Sequence, residues 1–255
     1  MPADTSRRPG SARLIAGLLP PAVAAAESTG NPPPDAPGLF PAEEEALRTA
    51  GPRRRAEFAA GRSCARAALA ALGVAAGPIL PGPAGQPLWP AGVTGSITHC
   101  AGYQACAVAR VTDVPAIGID AEPDAPLSAG LIERIATAPE RAWISRHVGV
   151  TGLSAAVQPA AARAPEAPPP AAPGGVSWDR LLFSAKEAAC KLWYPLTGQW
   201  PGLREVTVGL ATAGTFTACL PGPGPAGGNG RMTQLTGRWL ARDGLIVTAI
   251  VWAPG

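Results

Sequence analysis

The stretch FSAKEAACKLW, residues 183–193, contains both lysines of a 255-residue chain that has 21 basic residues, the others being arginines. Apolar residues recur at helical spacing from residue 177 to residue 194 and share one side: Leu181, Leu182, Ala185, Ala189 and Leu192. This period predicts a helix, and Pro195 predicts its end. Glu187 and Lys191 are four residues apart and therefore share a face of that helix. A carboxylate and an ammonium group could thus address one ligand.

A second stretch, GIDAE at residues 118–122, carries two more carboxylates on a short predicted strand. Side chains two apart on a strand face the same side, so Asp120 and Glu122 project together and repel each other unless a cation holds them. Carboxylate oxygens suit Mg²⁺, whose shell is usually completed by water and substrate phosphates. With Glu187 as a third carboxylate, the pattern indicates a Mg²⁺ site. An isolated Asp-x-Glu is nevertheless common, and a Glu–Lys pair four apart is often only a surface pair.

The rest of the chain predicts an α+β fold with a helix-and-strand half on each side of residue 115. The N-terminal half begins with a buried strand near residues 13–19 and continues with two helices and a hairpin around Gly102. The C-terminal half has one helix over residues 131–148 and the lysine-bearing helix. Its predicted strands are AIGIDAE, REVTVGLA, GTFTACL, TGRWLAR and LIVTAIVWA.

Composition limits the function classes. The net charge of +3 is too small to indicate a nucleic-acid partner, although three consecutive arginines at 53–55 favour an anionic ligand. No run of about 18 apolar residues predicts a membrane span. Five cysteines without metal-ligand spacing predict reduced thiols in a cytoplasmic protein. Residues 1–12 are expected to be a flexible tail, and the proline-rich segment 149–176 a disordered insertion.

Five stretches follow one another along the chain: GRSCARAALAALG, PILPGPAGQPLWP, GSITHCAGY, GIDAEP and LLFSAKEAACKLW. Together they resemble the 4′-phosphopantetheinyl transferases of the Sfp and enterobactin-synthetase-associated type. GIDAE followed by FSAKEAxxK is the specific part, and the N-terminal stretches look most like the actinobacterial branch that activates polyketide and fatty-acid carrier proteins. The resemblance implies a pseudo-dimer in one chain, with similar α/β halves at 13–115 and 116–255 and with coenzyme A and Mg²⁺ between them. It also suggests a monomer.

The resemblance implies a metal set and a reaction. Asp120, Glu122 and Glu187 would bind Mg²⁺, and the catalytic residues would be Glu187, Lys191 and Asp120. A serine of an acyl or peptidyl carrier protein would attack coenzyme A and receive its 4′-phosphopantetheine group, releasing 3′,5′-ADP. The expected partners are therefore coenzyme A and carrier protein domains, with no nucleic acid and no membrane.

A set of basic side chains would bind the phosphates and the nucleotide. The residues that the resemblance implies for this role are Arg54, Arg62, His99, Lys186 and Lys191. His99, taken alone, could equally be an ordinary hydrogen-bonded histidine of a strand. One departure from the family pattern is Ala84, which stands where related sequences often have a lysine. Either an arginine substitutes for it or coenzyme A is held by one fewer cation.

Two other functions are also compatible with the sequence. The first is another Mg²⁺-dependent phosphotransferase, although the chain lacks the GxxxxGK[ST] and GxGxxG phosphate-binding patterns. The second is a non-catalytic module that binds acidic proteins through the arginines of the second helix. That module would leave the GIDAE carboxylates unexplained.

Overall fold

The structure, a computed structural model, describes residues 13–30, 38–100, 102–128, 130–147, 175–222 and 232–252. The predicted tail at 1–12 and nearly all of the predicted insertion at 149–176 lie outside the described residues. Within the described ranges, no helix is both long and apolar enough to cross a lipid bilayer.

The described strands form two antiparallel sheets, so the α+β prediction is confirmed. The smaller sheet has the order β1-β3-β2, and the larger has the order β4-β8-β7-β6-β5. The smaller sheet contains β1 (Ala24–Thr29), β2 (Val93–Cys100) and β3 (Tyr103–Arg110). The larger sheet contains β4 (Ala116–Pro123), β5 (Thr207–Ala211), β6 (Thr215–Pro221), β7 (Met232–Arg242) and β8 (Leu245–Trp252).

Five α-helices are described. They are α1 (Pro41–Ala46), α2 (Pro52–Ala71), α3 (Leu131–Ile135), α4 (Ala138–His147) and α5 (Trp178–Thr197). The long helix α2 packs on β1 and β3, and α5, the helix of the FSAKE stretch, packs on β4 and β8. Each sheet is therefore covered by one 20-residue helix. This agrees with two similar α/β halves.

The two sheets meet along β2 and β4, and side chains make the junction. The hydroxyl of Ser96 accepts a hydrogen bond from the Ile119 N–H at 3.1 Å. The Thr98 hydroxyl accepts one from the Ala121 N–H at 3.0 Å. Both pairs are 23 residues apart in sequence, so the two strands run parallel at this point. Hydroxyl side chains of one half thereby satisfy buried amides of the other.

Helix α5 lies unusually close to β4 because Gly118 has no side chain. A β-carbon at Gly118 would lie 1.8 Å from the Ala188 carbonyl oxygen, a distance that no packed structure tolerates. The glycine of GIDAE thus sets the distance between the strand that carries Asp120 and the helix that carries Lys191. All five predicted apolar residues of this helix are buried: Leu181, Leu182, Ala185, Ala189 and Leu192.

The prediction of a first strand near residues 13–19 is wrong. This segment contains a short 3₁₀ turn at Ala16–Leu18, and the first strand is β1. The carboxylate of Glu27 on β1 accepts hydrogen bonds from the N–H groups of Leu14, Ile15 and Ala16 at 2.9–3.3 Å. Three successive amides that converge on one carboxylate require a turn, since strand amides alternate in direction.

The single helix predicted over residues 131–148 is two helices, α3 and α4. Ala136 between them is extended, with ψ of 143°. Thr137 and Glu140 form a reciprocal cap, in which Glu140 accepts from the Thr137 N–H at 2.6 Å and the Glu140 N–H donates to the Thr137 hydroxyl at 3.5 Å. The sequence TAPE carries this helix-start signal, and it starts α4 anew.

The predicted end of α5 at Pro195 is two residues too early. The proline cannot donate to the carbonyl one turn before it, but the last turn is held in other ways. The Thr197 hydroxyl donates to the Trp193 carbonyl at 3.0 Å. Gly198, with φ of 70°, then ends the helix by donating its N–H to the Tyr194 carbonyl at 2.8 Å.

Candidate active site

A polar stripe runs along the face of α5 that contacts the larger sheet. Its members, Arg180, Ser184, Glu187 and Lys191, are spaced by four, three and four residues, so they share one side of the helix. Ser184 lies 2.9 Å from the Thr248 hydroxyl of β8. The other members face the acidic side chains of β4. The helical period thus places the charged side chains of Arg180, Glu187 and Lys191 beside the strand of the GIDAE stretch.

Asp120 lies at the centre of this arrangement and is buried. Its Oδ1 accepts a hydrogen bond from Lys191 Nζ at 2.6 Å and from the Thr98 hydroxyl at 3.2 Å. Lys191 also donates to the Ile119 carbonyl at 3.3 Å. Asp120 Oδ2 is buried and has no hydrogen-bond partner in the described part of the chain. A buried carboxylate oxygen without a donor is costly, so this atom is poised to accept a ligand.

Glu122, two residues along β4, is held by Arg180. Arg180 Nη1 donates to Glu122 Oε2 at 2.9 Å, and both side chains are about four-fifths buried. Burial raises the pKa of Glu122, the charge of Asp120 raises it further, and Arg180 opposes both. These shifts indicate that the two carboxylates of GIDAE are close enough to repel each other, as their spacing predicted.

Glu187 and Lys191 respond to the same charges. Burial raises the pKa of Glu187; the Lys191 ammonium lowers it and the Asp120 carboxylate raises it. Burial acts to lower the pKa of Lys191, but Asp120, Glu187 and Glu122 together outweigh burial and raise it. Lys191 is ion-paired with Asp120 at 2.6 Å and lies within electrostatic range of Glu187 and Glu122. That Glu187 and Lys191 bind one ligand stays a prediction.

His99 and Arg54 extend the site from the smaller sheet. Both are exposed, His99 at the end of β2 and Arg54 in the first turn of α2. Neighbouring protein atoms desolvate the imidazole and lower the pKa of His99; Glu57 raises it, and Lys191 and Arg54 lower it. His99 is thus within electrostatic range of both halves of the site.

The three-arginine run divides into paired and unpaired members. Arg53 forms a salt bridge with Glu57, and Arg55 forms one with Glu44. Among the described residues, Arg54 makes no salt bridge, and it remains available to an anionic ligand.

Arg62, also on α2, is buried by comparison. Its Nε donates to the Ile79 carbonyl at 2.6 Å, and its guanidinium lies over the Phe58 ring at 3.9 Å. Burial lowers the pKa of Arg62 to about 10, so the side chain stays charged at neutral pH. It borders the segment that contains Ala84, where the family pattern often has a lysine. Its contact with the nucleotide stays a prediction.

The structure does not bring Lys186 to this site, which corrects its assignment to phosphate binding. Lys186 is fully buried, and its ammonium is ion-paired with Glu140 at 2.9 Å. The same nitrogen donates to the carbonyls of Ile135, Leu203 and Val206 at 2.8–2.9 Å. Four oxygens already surround an ammonium that has three protons, so none remains for a phosphate.

The residues that surround Asp120 can be tested as metal ligands. In the described ranges, no three acidic, histidine or cysteine side chains form a ready-made metal cluster. The chemistry of the donors nevertheless fits a hard divalent cation, because Asp120 Oδ2 lacks a partner and Glu122 and Glu187 supply further carboxylate oxygens. A cation there would offset both causes that raise the pKa of Glu122, its burial and the charge of Asp120. These donors therefore fit a divalent cation, although Asp120, Glu122 and Glu187 do not already converge on one point.

Thr98 and Arg180 are site residues that the sequence interpretation missed. Thr98 lies in GSITHCAGY, directly before His99, and its hydroxyl contacts Asp120 and the Ala121 amide. The alternation of residues along a strand does not predict a side-chain hydrogen bond to the neighbouring strand. Arg180 could have been found from helical spacing, since it precedes Glu187 by seven residues, two turns of α5.

We expect Thr98→Val to reduce the free energy of unfolding by about 1–3 kcal/mol, because it leaves the buried Ala121 N–H without an acceptor. Urea unfolding followed by circular dichroism measures the change. Thr98→Ser, which keeps the hydroxyl, is the matched control and should lose less than half as much. Equal losses for both variants would show that the methyl group, not the hydroxyl, stabilises the junction.

Comparison with known families identifies the chain. Residues 42–109 match the model of the 4′-phosphopantetheinyl transferase N-terminal domain, and residues 116–227 match that of the 4′-phosphopantetheinyl transferase superfamily. The fold and the matches define an enzyme of the transferase class. The chain belongs to the 4′-phosphopantetheinyl transferase superfamily.

Several full-length relatives carry the same name. The 4′-phosphopantetheinyl transferase Svp of Streptomyces mobaraensis is 46% identical over 94% of this chain and 89% of its own. PptT of Mycobacterium tuberculosis is 37% identical over 93% of this chain and 97% of its own. Npt of Nocardia iowensis is 38% identical over 94% of this chain and all of its own. These identities confirm the resemblance that the motifs indicated.

Proposed function

We propose that the enzyme transfers 4′-phosphopantetheine from coenzyme A to a serine of acyl or peptidyl carrier proteins, with Mg²⁺ bound by Asp120, Glu122 and Glu187. The observation that carries the proposal is the environment of Asp120. One of its oxygens is 2.6 Å from the Lys191 ammonium, and the other is buried without a partner among described residues. A cation and a phosphate-binding ammonium can meet at this carboxylate.

The phosphates of coenzyme A would lie between Lys191 and the exposed cations of the other half. Two protons of the Lys191 ammonium are directed to Asp120 and Ile119, which leaves the third for a phosphate oxygen. Arg54 and His99 would contact the nucleotide end, where both are exposed. The ligand would thus join the two halves, with Lys191 nearest to the leaving 3′,5′-ADP.

In the proposed reaction, the serine hydroxyl attacks the β-phosphorus of coenzyme A, a new P–O bond forms, and the bond to 3′,5′-ADP breaks. Glu187, or a water held beside it, takes the serine proton. Bound Mg²⁺ would supply charge neutralisation at the pyrophosphate.

A mass measurement tests this function. The purified protein is incubated with coenzyme A, Mg²⁺ and an apo carrier protein, and the carrier is weighed by mass spectrometry. A gain of one phosphopantetheine that requires Mg²⁺ supports the proposal. Binding of several carriers without a mass gain would favour the non-catalytic module instead, and nucleotide turnover without carrier modification would favour another phosphotransferase.

The carrier protein, rather than an arbitrary acidic protein, is favoured as partner by the relatives. Their names are those of phosphopantetheinyl transferases, and enterobactin synthase component D of Salmonella typhi is 42% identical over a third of this chain. The described cysteines are free thiols, and the cytoplasmic location stays a prediction.

Lys191→Arg is expected to lower kcat about 100-fold although the charge is kept. Lysine places a compact charge on a flexible stem, and arginine would impose a planar fork beside Asp120. The carrier assay at saturating coenzyme A measures the effect. The converse exchange Arg48→Lys, at an exposed arginine that is paired with Glu45 outside the site, is the control and should change kcat less than threefold. Near wild-type turnover of Lys191→Arg would show that the compact shape of the ammonium group is not required.

A further inference from the structure

Arg180 makes contacts that the proposed reaction does not use directly. Its three nitrogens each reach a different acceptor, one on β4 and two in the segment that follows it. Nη1 donates to Glu122 at 2.9 Å, Nε to the Ala125 carbonyl at 3.0 Å and Nη2 to the Pro126 carbonyl at 3.1 Å. The guanidinium therefore holds both the Glu122 carboxylate and the backbone beyond it.

Two aspartates complete the connection between this segment and the start of α5. Asp179 Oδ2 accepts from the Leu127 N–H, and Asp124 Oδ1 accepts from the Ser177 N–H, each at 2.9 Å. Together with the three bonds of Arg180, five hydrogen bonds tie residues 122–127 to residues 177–180. We call this network the clasp. It fixes Glu122 to the same helix that carries Glu187 and Lys191.

The clasp leaves part of Glu122 available. In the described part of the chain, the hydrogen bonds of its carboxylate reach Oε2 alone, while Asp120 on the same strand face keeps Oδ2 unpartnered. An arginine that binds one oxygen of a carboxylate restricts its rotamers and orients the other oxygen. Such bonds hold metal-binding carboxylates in position in other proteins.

We propose that Arg180 is a positioning residue, which orients Glu122 so that a divalent cation is bound between Glu122 and Asp120; this inference rests on the proposed function. A lysine at this position would keep the positive charge, but its single nitrogen cannot reproduce three nitrogens that are set apart in the plane of a guanidinium and reach three separate acceptors. The orientation of Glu122, and with it metal affinity, depends on the planar fork of the guanidinium and not on its charge alone.

The test measures metal binding directly. Free Mn²⁺ is counted by electron paramagnetic resonance while Mn²⁺ is titrated into the protein in saturating coenzyme A. We expect Arg180→Lys to raise the Kd for Mn²⁺ about tenfold, and Arg180→Gln to raise it at least as much. Arg141→Lys is the matched control, because Arg141 also donates to a backbone carbonyl, that of Ala136, outside the site. Its Kd should stay within twofold of wild type.

The possible failures are distinguishable. If wild-type protein binds no Mn²⁺, the metal site itself is refuted and Arg180 has nothing to position. If wild type binds Mn²⁺ and Arg180→Lys binds it equally well, the metal site stands and the positioning role is refuted. Tighter binding by Arg180→Gln would show that Arg180 competes with the metal, which also refutes the proposal. Thermal unfolding of each sample verifies that the variants are folded.

Discussion

Replacing Asp120 by asparagine should reduce carrier modification about 1,000-fold at saturating coenzyme A and Mg²⁺. Asparagine keeps the size of the side chain and one oxygen that can accept from Thr98 and Lys191. It removes the negative charge that raises the pKa of Lys191 and that would bind the cation. The variant thus separates charge from shape at the centre of the site. Initial rates from mass spectrometry of the carrier give the measurement.

The control for this substitution is Asp113→Asn, in the exposed turn between β3 and β4. It removes the same charge from the chain and should leave the rate within twofold. Urea unfolding of both variants is measured in parallel, and rates are compared at a temperature where both are folded. If Asp120→Asn kept more than a tenth of wild-type turnover, Asp120 would not be a metal ligand essential to the reaction.

Lys186→Met should lower the free energy of unfolding by about 3–5 kcal/mol, because it leaves the Glu140 carboxylate buried without its cation. The two lysines lie five residues apart on one helix but have different surroundings. Lys191 contacts Asp120, whereas Lys186 joins α5 to α3 and to the segment before β5. Urea unfolding followed by tryptophan fluorescence measures the change.

The double variant Lys186→Met with Glu140→Gln separates two causes of the lost stability: the unpaired charge of Glu140 and the poorer packing of the methionine. Glutamine removes the buried charge yet can still accept from the Val208 N–H, which donates to Glu140 at 2.7 Å. We expect it to recover at least half of the lost stability. Folded Lys186→Met should keep its kcat and its KM for coenzyme A within threefold. A KM raised more than tenfold in folded protein would restore Lys186 to the phosphate site.

The parts of the site that follow from local periodicity could be predicted from the sequence. Asp120 and Glu122 share a strand face through a period of two, and Glu187 and Lys191 share a helix face through a spacing of four. Lys186 was misassigned because its partners come from Ile135, Leu203 and Val206, which no local pattern connects to it. A signal was present, since Lys186 falls four residues after Leu182 and three before Ala189, on the apolar side of the helix.

The fold class was predictable for the same reason, while the first strand was not. The segment 13–19 is apolar enough for a strand, and the true strand β1 contains a glutamate. Glu27 is tolerated there because its carboxylate accepts three amides and the Tyr103 hydroxyl, at 2.6 Å for the last. This hydroxyl comes from 76 residues further along the chain. Such a partner is invisible to any window of neighbouring residues.

The hydroxyl junction between β2 and β4 has a consequence for motion. Thr98 holds Asp120 and the amide that follows it, so any rotation of one half against the other stretches bonds that end on the site itself. We therefore expect any opening of the two halves to loosen the Asp120 carboxylate as well. A ligand that contacts both halves would also rigidify this junction. We therefore expect substrate binding to reduce the backbone fluctuations of β2 and β4.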